Sequence, residues 1–257
     1  MPDSSVFLSP RGRRGRCGVR LGTLLLCVFV AACQSPPPPN PNAARSRLEP
    51  LLEAWDRARA EDGGCEQRRP TETPILDCEA VSQQIARLAV EFPRDPEILL
   101  AAATVRYEGG RKEDALKTLD VLRRLQPIHP EAAVLRGRIA IDEGNLRFAR
   151  RILEEQRELS PDHAGLWEML ASVAYLEGEY AVANERLDVA ARLGAPGWRV
   201  AYHRGLVAEA SGRPDLASLA YADCLEANPE FAPARSRLRA LAVTEGRGID
   251  GAGDAWR

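Results

Sequence analysis

The sequence predicts an all-α fold, a right-handed α-solenoid of stacked helix-turn-helix units, on three observations. First, one pattern recurs four times at a spacing of 34 residues between Pro96 and Pro229: Gly110, Gly144, Gly178 and Gly212 are in register, as are Ala115, Ala149, Ala183 and Ala217. Second, a large apolar residue follows each alanine by four positions (Leu119, Leu153, Leu187, Tyr221), and a small one precedes each glycine by seven (Ala103, Gly137, Ala171, Gly205). Third, Pro127, Pro161 and Pro229 close three of the four units. The third unit has Ala195, Pro196 and Gly197 instead, so its crossing into the fourth is expected to be reset. Self-similarity at a fixed period of this length marks units that bury an apolar face only against their neighbours. An aromatic content of 5% suits a core of Ala and Leu between closely packed helices.

These residues resemble the tetratricopeptide repeat, a helix-turn-helix unit of the same length with the pattern W-x2-L-G-x2-Y, then A-x3-F, then P. The third unit is the nearest match, with Trp167, Leu170 and Ala171, Gly178 at the turn, then Ala183 and Leu187. The resemblance covers residues 94–229, more than half of the chain. It is specific for fold and far less so for function.

Taken in order, residues 1–32 read as a secretory signal. Arg11, Arg13, Arg14, Arg16 and Arg20 precede an apolar stretch from Leu21 to Ala32, about half of the roughly 20 residues a membrane span needs. Val30-Ala31-Ala32-Cys33 resembles a bacterial lipobox. That resemblance implies that Cys33 is diacylglyceryl-modified, exposed by cleavage and N-acylated. At about 0.8 kcal/mol per buried methylene, two or three acyl chains hold a protein on a bilayer where a single chain does so only marginally. The competing reading is an ordinary signal cleaved near Ala32, with Cys33 incidental. Gln34, where an Asp would retain such a lipoprotein at the inner membrane, implies the outer membrane, facing the periplasm. Residues 33–44 then form a tether whose prolines, Pro36 to Pro39 and Pro41, favour polyproline II.

Without residues 1–32, which hold five arginines and Asp3, the 35 basic and 37 acidic residues become 30 and 36, a formal charge of −6. Such a chain lacks the basic stripe expected of a nucleic-acid binder, and charge does not draw it onto an anionic membrane.

Residues 45–93 read as a degenerate first repeat. Leu48, Leu51, Leu52, Trp55 and Ala58 make an amphipathic helix of Ser46 to Ala60, and Val81, Ile85 and Leu88 make a second from Glu79 to Glu91. Between them Cys65 and Cys78 bracket an insertion. In an oxidising periplasm they are expected to pair, and closing a loop of about 14 residues adds about 3 kcal/mol. No histidine lies near either thiol in the sequence to suggest zinc. The tight C-x-x-C spacing of redox pairs is also missing. Cys224 reads as a small buried hydrophobe where the third unit has Ala190.

Within the four units, each glycine of the turn is placed to take the left-handed conformation that ends a first helix. The small residues let helices approach, and the large ones fill the space between units. Proteins resembling this one line a concave groove with their first helices and hold an extended peptide or an amphipathic helix there. In register, that lining comprises Leu100, Thr104 and Tyr107; Val134, Arg138 and Ile141; Glu168, Ser172 and Tyr175; then Tyr202, Leu206 and Glu209. Many of these could also pack only on adjacent helices. The mix suggests an apolar protein ligand. Leu100, Val134, Glu168 and Tyr202 stand where a relative that clamps a C-terminal carboxylate would have a polar contact, so no such clamp is expected. Phe231, Leu238 and Leu241 mark a capping helix within residues 230–245, and residues 246–257 form a glycine-rich tail.

Catalytic and metal chemistry is not expected. His129 and His163 each sit beside a proline and an acid at a helix start, which is capping composition. Ser160, Asp162 and His163 have the residue types of a catalytic triad but lie on one turn, where they cannot converge on a substrate. No phosphate loop or metal cluster is present in the sequence. The reading is therefore a lipid-anchored adaptor of the bacterial cell envelope with no cofactor, metal, nucleic acid or small-molecule substrate. Its layout resembles pilotins of type IV pili and secretins, with adaptors of outer-membrane protein assembly or of peptidoglycan enzymes as alternatives. A structural spacer without a groove ligand is the competing class.

Overall fold

A computed structural model describes residues 41–60 and 78–244. The described residues form helices, which from α2 onward are joined by short turns: α1 (Pro41–Ala60), α2 (Cys78–Glu91), α3 (Pro96–Glu108), α4 (Lys112–Leu125), α5 (Pro130–Asp142), α6 (Leu146–Leu159), α7 (Ala164–Leu176), α8 (Tyr180–Arg192), α9 (Gly197–Ala210), α10 (Pro214–Ala227) and α11 (Ala232–Thr244). Each helix packs on the next. In addition α1 packs on α3, α3 on α5, α5 on α7 and α7 on α9, so the first helices of successive units lie side by side. This is the all-α solenoid that the 34-residue period implies.

Turn chemistry sets the geometry. Gly110, Gly144, Gly178 and Gly212 have φ of 75°, 71°, 79° and 71°. The amide after each bonds back to the carbonyl five residues earlier, as in Arg111 N to Arg106 O at 2.7 Å and Asn145 N to Ala140 O at 2.8 Å. This is the Schellman closure, in which a residue without Cβ satisfies the last helical carbonyls. Nothing lies within 4 Å of where a Cβ would stand at Gly144, so the whole cost of Gly144→Ala is the left-handed backbone. We expect a loss of about 1–2 kcal/mol in urea unfolding.

The second helices end differently. Gln126, Ser160 and Asn228 are extended at φ of −138°, −140° and −144°, because the proline that follows each one disfavours the helical region for it. The third unit has no proline at that place. There Gly194, at φ 91°, closes α8 by the same left-handed device used between paired helices, with Ala195 N bonding to Ala190 O at 2.9 Å. The reset crossing is thus a change of closure motif. Three helix starts among the described residues, those of α3, α5 and α6, carry side-chain caps. Asp95 accepts from Ile98 N at 3.1 Å ahead of Pro96, and Asn145 accepts from Phe148 N at 3.2 Å.

The core sits where the small and large residues of the repeat meet. Leu119, Leu153, Leu187 and Tyr221 are all at most 2% exposed, as are Ala103 and Ala171 facing them from the first helices. Leu153 lies directly on Gly137, and the Tyr221 ring directly on Gly205. Cys224 is a free, fully buried thiol, like Ala190 in the unit before.

Two N-terminal expectations are corrected. Helix α1 begins at Pro41, so residues 41–44 belong to it and not to the tether. Proline is tolerated at a helix start, and Ala44 is 1% exposed in the core formed with Leu48, Trp55, Ile85 and Ile98. Leu52, expected on the apolar face, is exposed, while the Trp55 indole is buried and donates to Glu108 at 2.9 Å. The signal at 1–32, Cys33, the tether up to residue 40, Cys65 and the tail at 246–257 lie outside the described residues.

Candidate partner-binding groove

The first helices α3, α5, α7 and α9 each bury side chains against neighbouring helices and present another row beside them; on α3 Ile98, Ala102 and Val105 pack on α1 and α2, and Leu99 and Ala103 on α4. On α3 the inward row includes Ile98, Ala102 and Val105, all buried, whereas Leu100, Thr104 and Tyr107 are half-buried. The same holds for Val134 and Ile141 on α5, Ser172 and Tyr175 on α7, and Tyr202, Leu206 and Glu209 on α9, while Arg138 is exposed. Because α3, α5, α7 and α9 touch in succession, these rows form one continuous surface.

Within that surface the polar groups are not equally available. The Arg138 guanidinium lies over the Tyr107 ring, 5.4 Å from its centroid, and the Tyr107 hydroxyl donates to Asp142. Partial burial, reinforced by that bond, pushes the Tyr107 phenol up to about 12. Arg138, itself exposed, thus offers its guanidinium to an acceptor from a place over an aromatic ring. The Thr104 and Ser172 hydroxyls donate to Leu100 O and Glu168 O one turn back, leaving their lone pairs as acceptors.

Glu168 departs from the expectation. It is 7% exposed and accepts from Arg199 at 2.7 Å, with His203 Nε2 at 3.4 Å, so it ties α7 to α9 and does not face a ligand. Burial alone raises a carboxyl, but the bond to His203 and the charges of Arg199 and His203 outweigh it and hold Glu168 below the ordinary carboxylate value. A depressed acid stabilises the fold above its unfolded value, near 4.5, and that stability is lost as pH falls through the folded value. Arg199 is 42% exposed and regains water when its partner is removed, so Glu168→Gln is expected to cost about 1–2 kcal/mol at pH 7. Urea melts from pH 7 down to 3 should show the wild type losing its advantage below pH 4.5, with the two proteins converging.

Glu209 is also committed. It accepts from the Tyr221 hydroxyl at 2.7 Å and pairs with Arg237 of α11 at 3.1 Å, while Tyr202 stacks on Phe231 at 4.9 Å. The capping helix therefore takes over the last row, with Leu206 packed in the same cluster as Leu238 and Leu241, and the groove facing outward narrows to the stretch from Leu100 to Tyr175. Sequence reasoning missed Arg199 and His203. Their signal was present, since both lie on α9 within three residues of the 34-residue period from Glu168.

Elsewhere, His129 caps α5 by accepting from Ala132 N at 3.4 Å. Its Nδ1 and the Nε2 of His163 lie 3.2 and 3.3 Å from the two oxygens of Glu131. No set of three His, Cys, Asp or Glu side chains among the described residues is arranged to hold a metal, and no described helix is long and apolar enough to cross a membrane. A cavity of about 290 Å³ lies outside the groove, between α4, α5 and α6.

No protein-family model matches the chain. Over 130 residues, 51% of its length, it is 28% identical to human tetratricopeptide repeat protein 7B, and the match spans only 15% of that much longer protein. Its structure is similar to TTC0263, a thermophilic tetratricopeptide-repeat protein of Thermus thermophilus, at a TM-score of 0.64 and 20% identity, covering 78% of this chain and 99% of that one. It is also similar to the Cut9–Hcn1 hetero-tetramer of the APC/C, at a TM-score of 0.59 and 15% identity over 66% of this chain and 34% of that one. The chain thus has the fold of tetratricopeptide-repeat proteins.

Proposed function

We propose that the chain is a lipid-anchored adaptor that holds a protein partner of the bacterial cell envelope in the groove of its first helices. The observation that carries the groove half is the half-buried row from Leu100 to Tyr175, broken by one exposed cation, Arg138, laid on Tyr107. Apolar and aromatic side chains that stay half-exposed across several helices suit an amphipathic helix or extended peptide, with an acidic side chain of the ligand meeting Arg138. The anchoring half rests on the sequence Val30-Ala31-Ala32-Cys33 and on the apolar stretch before it. Size and layout favour a pilotin-like role in type IV pilus or secretin assembly over outer-membrane protein assembly or peptidoglycan remodelling. Catalysis has no part in this reading.

The test combines two arms. Photo-crosslinking from position 172, a half-buried groove position, in intact cells should capture one dominant envelope protein, and Arg138→Ala with Tyr175→Ala should abolish the capture while leaving the circular dichroism spectrum and melting unchanged. Unaltered capture in that variant would favour a spacer, to which Glu168 and Glu209 already contribute by linking helices. Independently, the mature chain should carry acyl groups on Cys33 and lose them, with its membrane association, in Cys33→Ala. Mass spectrometry of non-reduced peptides should find Cys65 joined to Cys78.

A further inference from the structure

We propose that the cleft between α4 and α6 is a second docking site, which holds an acidic stretch of a polypeptide by one large apolar side chain and the carboxylates beside it. The cleft is separate from the groove. It opens between the second helices of the first two units, against the turn that joins α4 to α5, and at about 290 Å³ has room for one bulky side chain and not for a helix.

Its charge is opposite to that of the chain. Arg123, Arg136 and Arg151 line it with a single acid, Glu155, in a protein whose formal charge is −2. Two of the cations are available. Arg136 is held by Asp120 at 2.9 Å, but Arg151 reaches Glu155 only at 4.0 Å with both side chains 66% exposed. Arg123 is exposed and makes no ion pair among the described residues. The guanidinium carbons of Arg136 and Arg151 lie 5.6 and 5.3 Å from the centroid of the Phe148 ring. A guanidinium over a ring face keeps N–H groups at its edge for carboxylate oxygens, and those of Arg151 are not taken up as those of Arg136 are by Asp120. Phe148 itself is the apolar wall against which a ligand ring or aliphatic chain would lie.

The cleft is also rigid. The Gln156 side chain accepts from His129 N at 3.0 Å and donates to Pro127 O at 3.0 Å, so α6 grips the α4–α5 turn by both ends of one amide. A site that does not have to be ordered on binding loses less entropy when it is filled. An anionic membrane would present charge to a flat basic face. Here the cations surround a recess about the size of one side chain, which suits a single side chain with acidic neighbours.

The experiment titrates the chain, by calorimetry, with the pentapeptide Ac-Asp-Glu-Phe-Asp-Glu-amide and with its neutral counterpart Ac-Asn-Gln-Phe-Asn-Gln-amide. The acidic peptide should bind at least about tenfold more tightly, and its affinity should fall with added salt as exposed charges are screened. Arg123→Gln with Arg151→Gln, two exposed substitutions that leave the core intact, should weaken it about tenfold or more, while Arg138→Ala with Tyr175→Ala in the groove should leave it unchanged. Equal affinity for the two peptides, no measurable binding, indifference to the arginine substitutions, or loss in the groove variant would each overturn the proposal. So would arginine-dependent binding to phosphatidylglycerol vesicles by a chain that ignores the peptide. The groove reading is tested by its own variant, so either one can fail alone.

Discussion

Replacing Gly205 with alanine is expected to destabilise the protein by about 1–2 kcal/mol, although alanine is the better helix former by about 0.5–1 kcal/mol. A Cβ at this position would stand 2.4 Å from Tyr221 Cε1 and 2.6 Å from Cδ1. The ring is fully buried, its hydroxyl is bound to Glu209, and Tyr202 lies 5.9 Å from its centre. It cannot step aside without breaking those contacts, and overpacking of this kind costs about 1–3 kcal/mol. Gly137→Ala provides the contrast. Its Cβ would meet Leu153 Cδ2 at 2.9 Å, Cγ at 3.0 Å and Cδ1 at 3.1 Å, contacts about half an ångström longer than those at Gly205 and with a side chain that no hydrogen bond holds, so the smaller strain and the helix preference should cancel to within about 1 kcal/mol.

The chain also supplies the remedy for Gly205→Ala. Ala103 faces Leu119 and Ala171 faces Leu187 at the equivalent places, and all four are buried at 2% or less. Combining Gly205→Ala with Tyr221→Leu should therefore be less destabilising than the sum of the single changes by about 1 kcal/mol or more, as chemical denaturation of the four-member cycle would report. Strict additivity would mean that the ring and the glycine do not meet as described.

That pairing shows what was legible in the sequence. A small residue and a large one, each repeating every 34 residues, encode the contact between paired helices, and the turn glycine encodes the reversal between them. Both depend on backbone position, which a period specifies. Glu168 shows the opposite case. Its equivalents Leu100, Val134 and Tyr202 are apolar or aromatic, and an acid among them was a sign of an internal partner. Which partner depends on how far Arg199 and His203 reach from the next unit, and side-chain reach is not periodic. The cleft lined by Arg123 and Arg151 was invisible for a related reason. Those two residues occupy different places in the repeat, and although Arg157 and Lys117 are basic counterparts in register, the third unit has Ala191 and Glu185 there, so the period does not mark the pair. The start of α1 was missed because prolines before it read as a tether, whereas Pro41 is compatible with a first helical turn.

The largest effect is expected for Leu153→Ala, about 3–5 kcal/mol. Deleting a buried leucine side chain costs about 2–5 kcal/mol, depending on how far the surroundings collapse into the space left behind. Here collapse is poor. On one side stands Gly137, with no side chain to move, and on the other the cluster of Ala149, Leu166, Leu170 and Val173 is held by two helices at once. Leu153 therefore connects α5, α6 and α7, and its loss weakens both a unit and the interface to the next. In a solenoid each unit is supported only by its neighbours, so damage in the second unit also reduces the coupling between the units on either side of it. Amide hydrogen exchange should show protection falling in α5 to α7 more than in α9 and α10, and the urea transition should broaden. A transition that keeps its slope, with protection lost evenly along the chain, would mean that the units unfold as one block and that nearest-neighbour support is not what limits them.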